Sequence, residues 1–118
     1  TNQSGIARGY YSENEFIKFH REIKEFFLKK KIVISDVFYC PHHPSSNIKK
    51  YKKNCKCRKP GTKLFNLLIK KWPIITNQVF MLGDKKLDYH FAKKNNIYFE
   101  YPKKNKFKQI KNIINNKI

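Results

Sequence analysis

Apolar positions along the 118-residue chain follow two different periods. Phe16, Phe19, Ile23, Phe26 and Phe27 recur at steps of three and four, the mark of one helical face. Ser12 and Glu15 supply the S-x-x-E capping box that opens such a helix, and the Lys29–Lys31 cluster closes it. The short run Asp36–Cys40, rich in β-formers, predicts a strand running into a loop at Pro41. From Pro41 to Lys59 the chain holds Pro, Ser, Asn and Lys without any hydrophobic period, so something other than a core is expected to order it. Leu64, Leu67 and Leu68 then predict a helix over Thr62–Lys71, stopped by Pro73. Gln78–Leu82 predicts a buried strand, Leu87–Asn95 a helix and Ile97–Tyr101 a strand. Phe107, Ile110, Ile113 and Ile114 mark a final amphipathic helix. Strands alternating with helices imply an α/β fold with a parallel sheet, read as a single domain over residues 1–118.

Composition narrows this picture. With 40% hydrophobic and 15% aromatic residues the chain can bury a core, despite a mean hydropathy of -0.73. No apolar run approaches the roughly 20 residues of a membrane-spanning helix, which predicts a cytoplasmic protein with no membrane partner. Lys and Arg total 27 against eight Asp and Glu, a formal charge of +19. That excess would suit a polyanion. Nearly all of it is Lys, however, dispersed among Asn and Ile as AT-rich codon usage would place it. Only Arg8, Arg21 and Arg58 offer the guanidinium that nucleic-acid sites favour, so nucleic acid is not the expected partner.

Four clusters carry chemistry. The first is Cys40-x-His42-x12-Cys55-x-Cys57, which places all three cysteines in the featureless loop 40–59. Thiolate and imidazole are the donors a tetrahedral Zn²⁺ prefers, and four protein ligands make a closed, structural site. His43 could replace His42, and free cysteines in a reducing compartment are the alternative, since a disulfide would leave one thiol unpaired. The second, Gly83-Asp84-Lys85-Lys86-Leu87-Asp88, follows a predicted strand, where α/β folds place their ligands. Asp84 could hold a hard cation such as Mg²⁺ through oxygen, or simply cap the next helix. Third, Arg58-Lys59-Pro60 offers two cations suited to a phosphate. Fourth, Thr1-Asn2-Gln3-Ser4-Gly5 offers hydroxyl, amide and backbone donors suited to an oxyanion, or forms an ordinary polar turn.

Taken in order, TNQSGIARG, YCPHHP, C-x-CRKP and GDKKLD resemble the histidinol-phosphatase-like branch of the haloacid dehalogenase phosphatases, over Thr1 to about Asn95. The twelve residues between His42 and Cys55, together with IARG and CPHHP, look like the heptose-bisphosphate members of that branch more than the histidinol-phosphate members. The resemblance implies a Rossmann-like three-layer sandwich around a parallel sheet and a zinc-stapled loop insertion. It also implies a Mg²⁺-dependent phosphomonoester hydrolase acting on a small sugar bisphosphate in lipopolysaccharide-core heptose synthesis; a monomer is expected, though the sequence does not fix the oligomeric state. It makes Thr1 and Lys59 catalytic. Asn2, Gln3, Ser4, Arg58 and Lys85 would bind substrate beside them, Asp84 would bind Mg²⁺, and Cys40, His42, Cys55 and Cys57 would bind structural zinc.

One departure stands out. These phosphatases carry D-x-D on a first strand ahead of TNQSG, its first Asp attacking phosphorus and its second acting as acid and base. No D-x-D occurs in residues 1–118. The sequence opens on Thr1, already inside a motif, so it is expected to begin within a longer reading frame and to lack the first strand. Residues 1–118 alone are therefore expected to be inactive. Histidinol-phosphate phosphatase, a basic zinc module on nucleic acid, and a degenerate remnant are the competing readings.

Overall fold

The computed structural model describes all residues, 1–118. It resolves into two compact units, Thr1–Arg58 and Lys59–Ile118.

The first unit opens with a four-residue helix α1 (Ser4–Ala7), where the sequence suggested an oxyanion-binding segment or a polar turn and no helix. Gly5 is needed there by close approach, since a Cβ would meet the Tyr11 ring at 2.4 Å. Gly9, at φ +73°, turns the chain toward α2 (Glu13–Lys29). Both halves of the predicted capping box form, with Glu15 N–H donating to Ser12 Oγ at 3.1 Å and Ser12 N–H to Glu15 Oε2 at 2.6 Å. The core gathers Ile6, Ala7, Phe16 and Tyr51, with Tyr11, Val37 and Tyr39 packed against it.

The apolar face expected along α2 is covered unevenly, with Ile23 and Phe27 half-buried. Phe16 is buried, whereas Phe19 and Phe26 are 58% and 56% exposed. The predicted strand Asp36–Cys40 is not a strand in the structure. Its residues take no regular secondary structure beyond one parallel bridge, Asn2↔Cys40. Gln3 N–H donates to Cys40 O and Cys40 N–H to Thr1 O, both at 2.8 Å. The Thr1 amino group also donates to Phe38 O at 2.6 Å, but a ladder needs successive bridges and no second one forms. The loop 41–59 is also better anchored than its composition suggested. Tyr51 reaches the core, and buried Ser46 donates from Oγ to Ala7 O at 2.6 Å.

In the second unit, α3 (Lys63–Lys71) and α4 (Lys86–Lys94) accompany β1 (Phe80–Leu82) and β2 (Tyr98–Glu100). The strands are parallel, in register Phe80↔Tyr98, Met81↔Phe99 and Leu82↔Glu100, with α4 as the crossover. Each strand is shorter than predicted. A 3₁₀ turn over Thr76–Gln78 occupies the expected start of β1. Phe65, Phe91, Ala92 and Ile97 form this unit's core, joined by Leu68, Val79, Met81 and Phe99. The helix α5 (Lys106–Asn116) ends the chain, buries Ile113, and leaves Phe107 and Ile114 exposed.

Candidate functional site

The loop following the single bridge brings Cys40, His42, Cys55 and Cys57 together, their ligating atoms all within 4.8 Å of one another. Cys57 Sγ lies 2.8 Å from Cys40 Sγ and 3.4 Å from His42 Nδ1. Cys55 Sγ lies 3.0 Å from Cys57 Sγ and 3.3 Å from Cys40 Sγ. His43 does not join them. Its Nδ1 accepts from Ser45 N–H at 3.1 Å, which leaves His42 as the imidazole donor of the cluster. Three thiols and one imidazole are the donor set a tetrahedral zinc takes, and the sulfurs lie closer together than the roughly 3.8 Å that Zn–S bonds of about 2.3 Å would set. Burial, joined by the neighbouring Cys57 and Cys55 thiols, pushes the Cys40 thiol well above its ordinary range. Arg58 Nη1 donates to His42 O at 3.5 Å, which ties this side chain to the backbone of the metal loop.

Beside the cluster lies Glu13, at the start of α2. Its carboxylate accepts from Tyr39 OH and from Tyr51 OH, both at 2.8 Å. The Tyr39 bond does most to hold Glu13 below the usual carboxylate range, against burial and with help from Tyr51 and Lys50. Burial, joined by Glu13, pushes Tyr39 up to about 12. Within the TNQS segment, Gln3 donates from Nε2 to Thr1 Oγ1 at 3.2 Å and accepts from Tyr11 OH at 2.6 Å. Thr1 is exposed, Asn2 and Gln3 are half-buried, and Ser4 begins α1.

In the second unit, β1 ends at Leu82 and the chain turns through buried Gly83 to exposed Asp84 and Lys85. The carboxylate expected to matter there was Asp84. The structure adds Asp88. It is buried, takes the Lys59 ammonium on Oδ1, and accepts Lys85 N–H on Oδ2 at 3.1 Å. The second contact caps α4, a role the sequence left to Asp84. Burial raises the Asp88 carboxyl, but the hydrogen bond and charge of Lys59 and the Lys85 amide outweigh it and hold the group below the carboxylate range. Gly83 makes this approach possible, because a Cβ there would fall 2.3 Å from Asp88 Cβ. The spacing of Asp88 three residues after Lys85 was the available signal for its role.

No family model matches the chain. Curated relatives named D-glycero-D-manno-heptose-1,7-bisphosphate 7-phosphatase do match it. That of Photorhabdus laumondii is 38% identical over 90 residues, spanning 76% of this chain and 49% of the relative. The chain thus spans about half the length of the curated relatives it matches. A HAD-like phosphatase structure from Mesorhizobium loti superposes with a TM-score of 0.75 at 25% identity, over 82% of this chain and 46% of that one. A D,D-heptose 1,7-bisphosphate phosphatase from B. bronchiseptica, complexed with magnesium and phosphate, gives 0.68 at 24% identity, over 84% and 51%. In sequence this chain is similar to the D-glycero-D-manno-heptose-1,7-bisphosphate 7-phosphatases over about half their length, and its fold is that of haloacid dehalogenase-like phosphatases.

Proposed function

We propose that this chain carries phosphate-binding and metal-binding residues of a cytoplasmic, Mg²⁺-dependent phosphatase that releases the 7-phosphate of D-glycero-D-manno-heptose 1,7-bisphosphate. The product is heptose 1-phosphate, on the route to the lipopolysaccharide core. The observation that carries this reading is the end of β1, where exposed Asp84 is followed one turn later by buried Asp88 with Lys59 held on it. Lys59 neutralises charge that develops on the phosphoryl oxygens, the electrostatic work on which phosphoryl transfer depends. Thr1 hydrogen-bonds the transferring group. Asn2, Gln3 and Ser4 add donors on its side of the substrate, and Arg58 and Lys85 recognise the rest. Asp84 would hold Mg²⁺, which when bound supplies positive charge to phosphate oxygens. Cys40, His42, Cys55 and Cys57 would hold a structural zinc that staples the loop inserted in a three-layer sandwich.

Phosphate release measured on residues 1–118 joined to an N-terminal segment bearing D-x-D tests the proposal. The fusion is expected to be active with Mg²⁺ on the heptose bisphosphate, and residues 1–118 alone to be inactive. Lys59→Ala is expected to cut turnover about a hundredfold or more, as removing one transition-state donor does. Preference for histidinol phosphate, or full turnover by the Lys59→Ala fusion, would overturn it.

A further inference from the structure

Glu13 belongs to α2 and lies outside the Cys/His cluster, yet its two oxygens grip both arms of the loop that carries that cluster. Tyr39, bound to Oε1, immediately precedes Cys40. Tyr51, bound to Oε2, belongs to the returning arm that leads to Cys55 and Cys57. Tyr51 also meets the first arm directly. Its carbonyl accepts His43 N–H at 3.1 Å, and its ring lies 6.4 Å from that of His42. Lys50 adds its ammonium 3.5 Å from Oε2.

We infer that Glu13 is a positioning residue for the metal loop: one carboxylate, through two tyrosine hydroxyls, holds the arms at the separation at which the four donors converge. This rests on reading Cys40, His42, Cys55 and Cys57 as a zinc site. Hydrogen bonds to an ionised acceptor are roughly twice as strong as neutral ones. Here one bond acts on the residue before Cys40 and the other on the returning arm four residues ahead of Cys55, so the arms are fixed before metal arrives. Residues that orient the ligands of a metal site typically change its affinity about 10- to 100-fold when mutated.

The full chain, loaded with Zn²⁺ and mixed with excess chelator, gives the rate of metal loss to a metallochromic dye. Glu13→Ala is expected to speed loss about 10- to 100-fold. Tyr39→Phe and Tyr51→Phe, which delete one hydroxyl each, are expected to give smaller accelerations. In the Tyr39→Phe/Tyr51→Phe background, Glu13→Ala should add little. Ser12→Ala weakens the same helix terminus without touching either tyrosine, and is expected to release zinc at the wild-type rate. Wild-type release from Glu13→Ala, or equal acceleration by Ser12→Ala, overturns the inference. A wild-type chain that takes up no zinc overturns the zinc reading itself, and the inference with it.

Discussion

Asp88→Asn isolates the ion pair under α4. The Lys59 and Asp88 side chains are only 16% and 7% exposed, so water does little to screen the pair. Removing the carboxylate charge leaves an ammonium mostly shielded from solvent, and breaking a buried pair from one side costs about 3–5 kcal/mol. The partial exposure of Lys59 places the value near the lower end, about 3 kcal/mol. Asn keeps an oxygen for Lys85 N–H, so the roughly 1 kcal/mol of that helix-capping bond is retained. At about 4 °C per kcal/mol for a chain of this size, the melting temperature should fall by about 12 °C. Urea denaturation followed by circular dichroism, alongside thermal melts, measures both quantities. The companion variant Lys59→Met/Asp88→Leu removes both charges and is expected to recover to within about 1 kcal/mol of wild type. An Asp88→Asn melting point within about 2 °C of wild type would refute the reasoning, as would a double variant no more stable than the single one.

Gly83→Ala forces a Cβ to within 2.3 Å of Asp88 Cβ; a loss of about 1–3 kcal/mol by urea denaturation is expected, and an unchanged midpoint would discount the close approach. Protein purified without added zinc should contain about one Zn²⁺ per chain. A strong chelator should raise proteolytic cleavage within residues 41–59, because metal binding supplies ordering free energy there, whereas three freely titrating thiols in the native protein would exclude the site. Gln109, Tyr98 and Lys103 hold Glu100 down to about 2, against an ordinary value of 4.5. A depressed folded-state value makes this contribution complete above about pH 4.5 and progressively lost as pH falls toward 2. Glu100→Gln should therefore flatten stability over that window, and an unaltered acid limb would count against the network.

The helices were the most legible part of the sequence. Capping signals and three-and-four spacing reside within a single element, so Ser12 and Glu15 could be read without knowing what α2 packs against. Strand pairing is not local. Asp36–Cys40 has strand composition, but only Asn2 bridges it, and composition cannot report the number of partners. The same limit explains Phe19 and Phe26, apolar on the expected face yet exposed. At the metal loop, spacing singled out the three cysteines but left His42 and His43 equivalent; the Ser45 amide on His43 separates them. Asp88 was legible only through its spacing from Lys85. Among the residues of GDKKLD, what distinguishes it is the void that Gly83 leaves for it and the lysine that reaches it from residue 59.

The grip of Asp88 on Lys59 bears on when disorder is surrendered. A lysine side chain forfeits up to about 2 kcal/mol of rotamer entropy when it is fixed. In an exposed lysine that loss falls at the moment an anion binds and subtracts from the binding free energy. Here the ion pair with Asp88 forms as the chain folds, so under the proposed function the ammonium would meet a phosphoryl group already oriented, with little reorganisation left for the encounter. In a chain of 27 basic residues, that restraint sets Lys59 apart from Lys50 and Lys103, whose ion-paired side chains stay exposed to water.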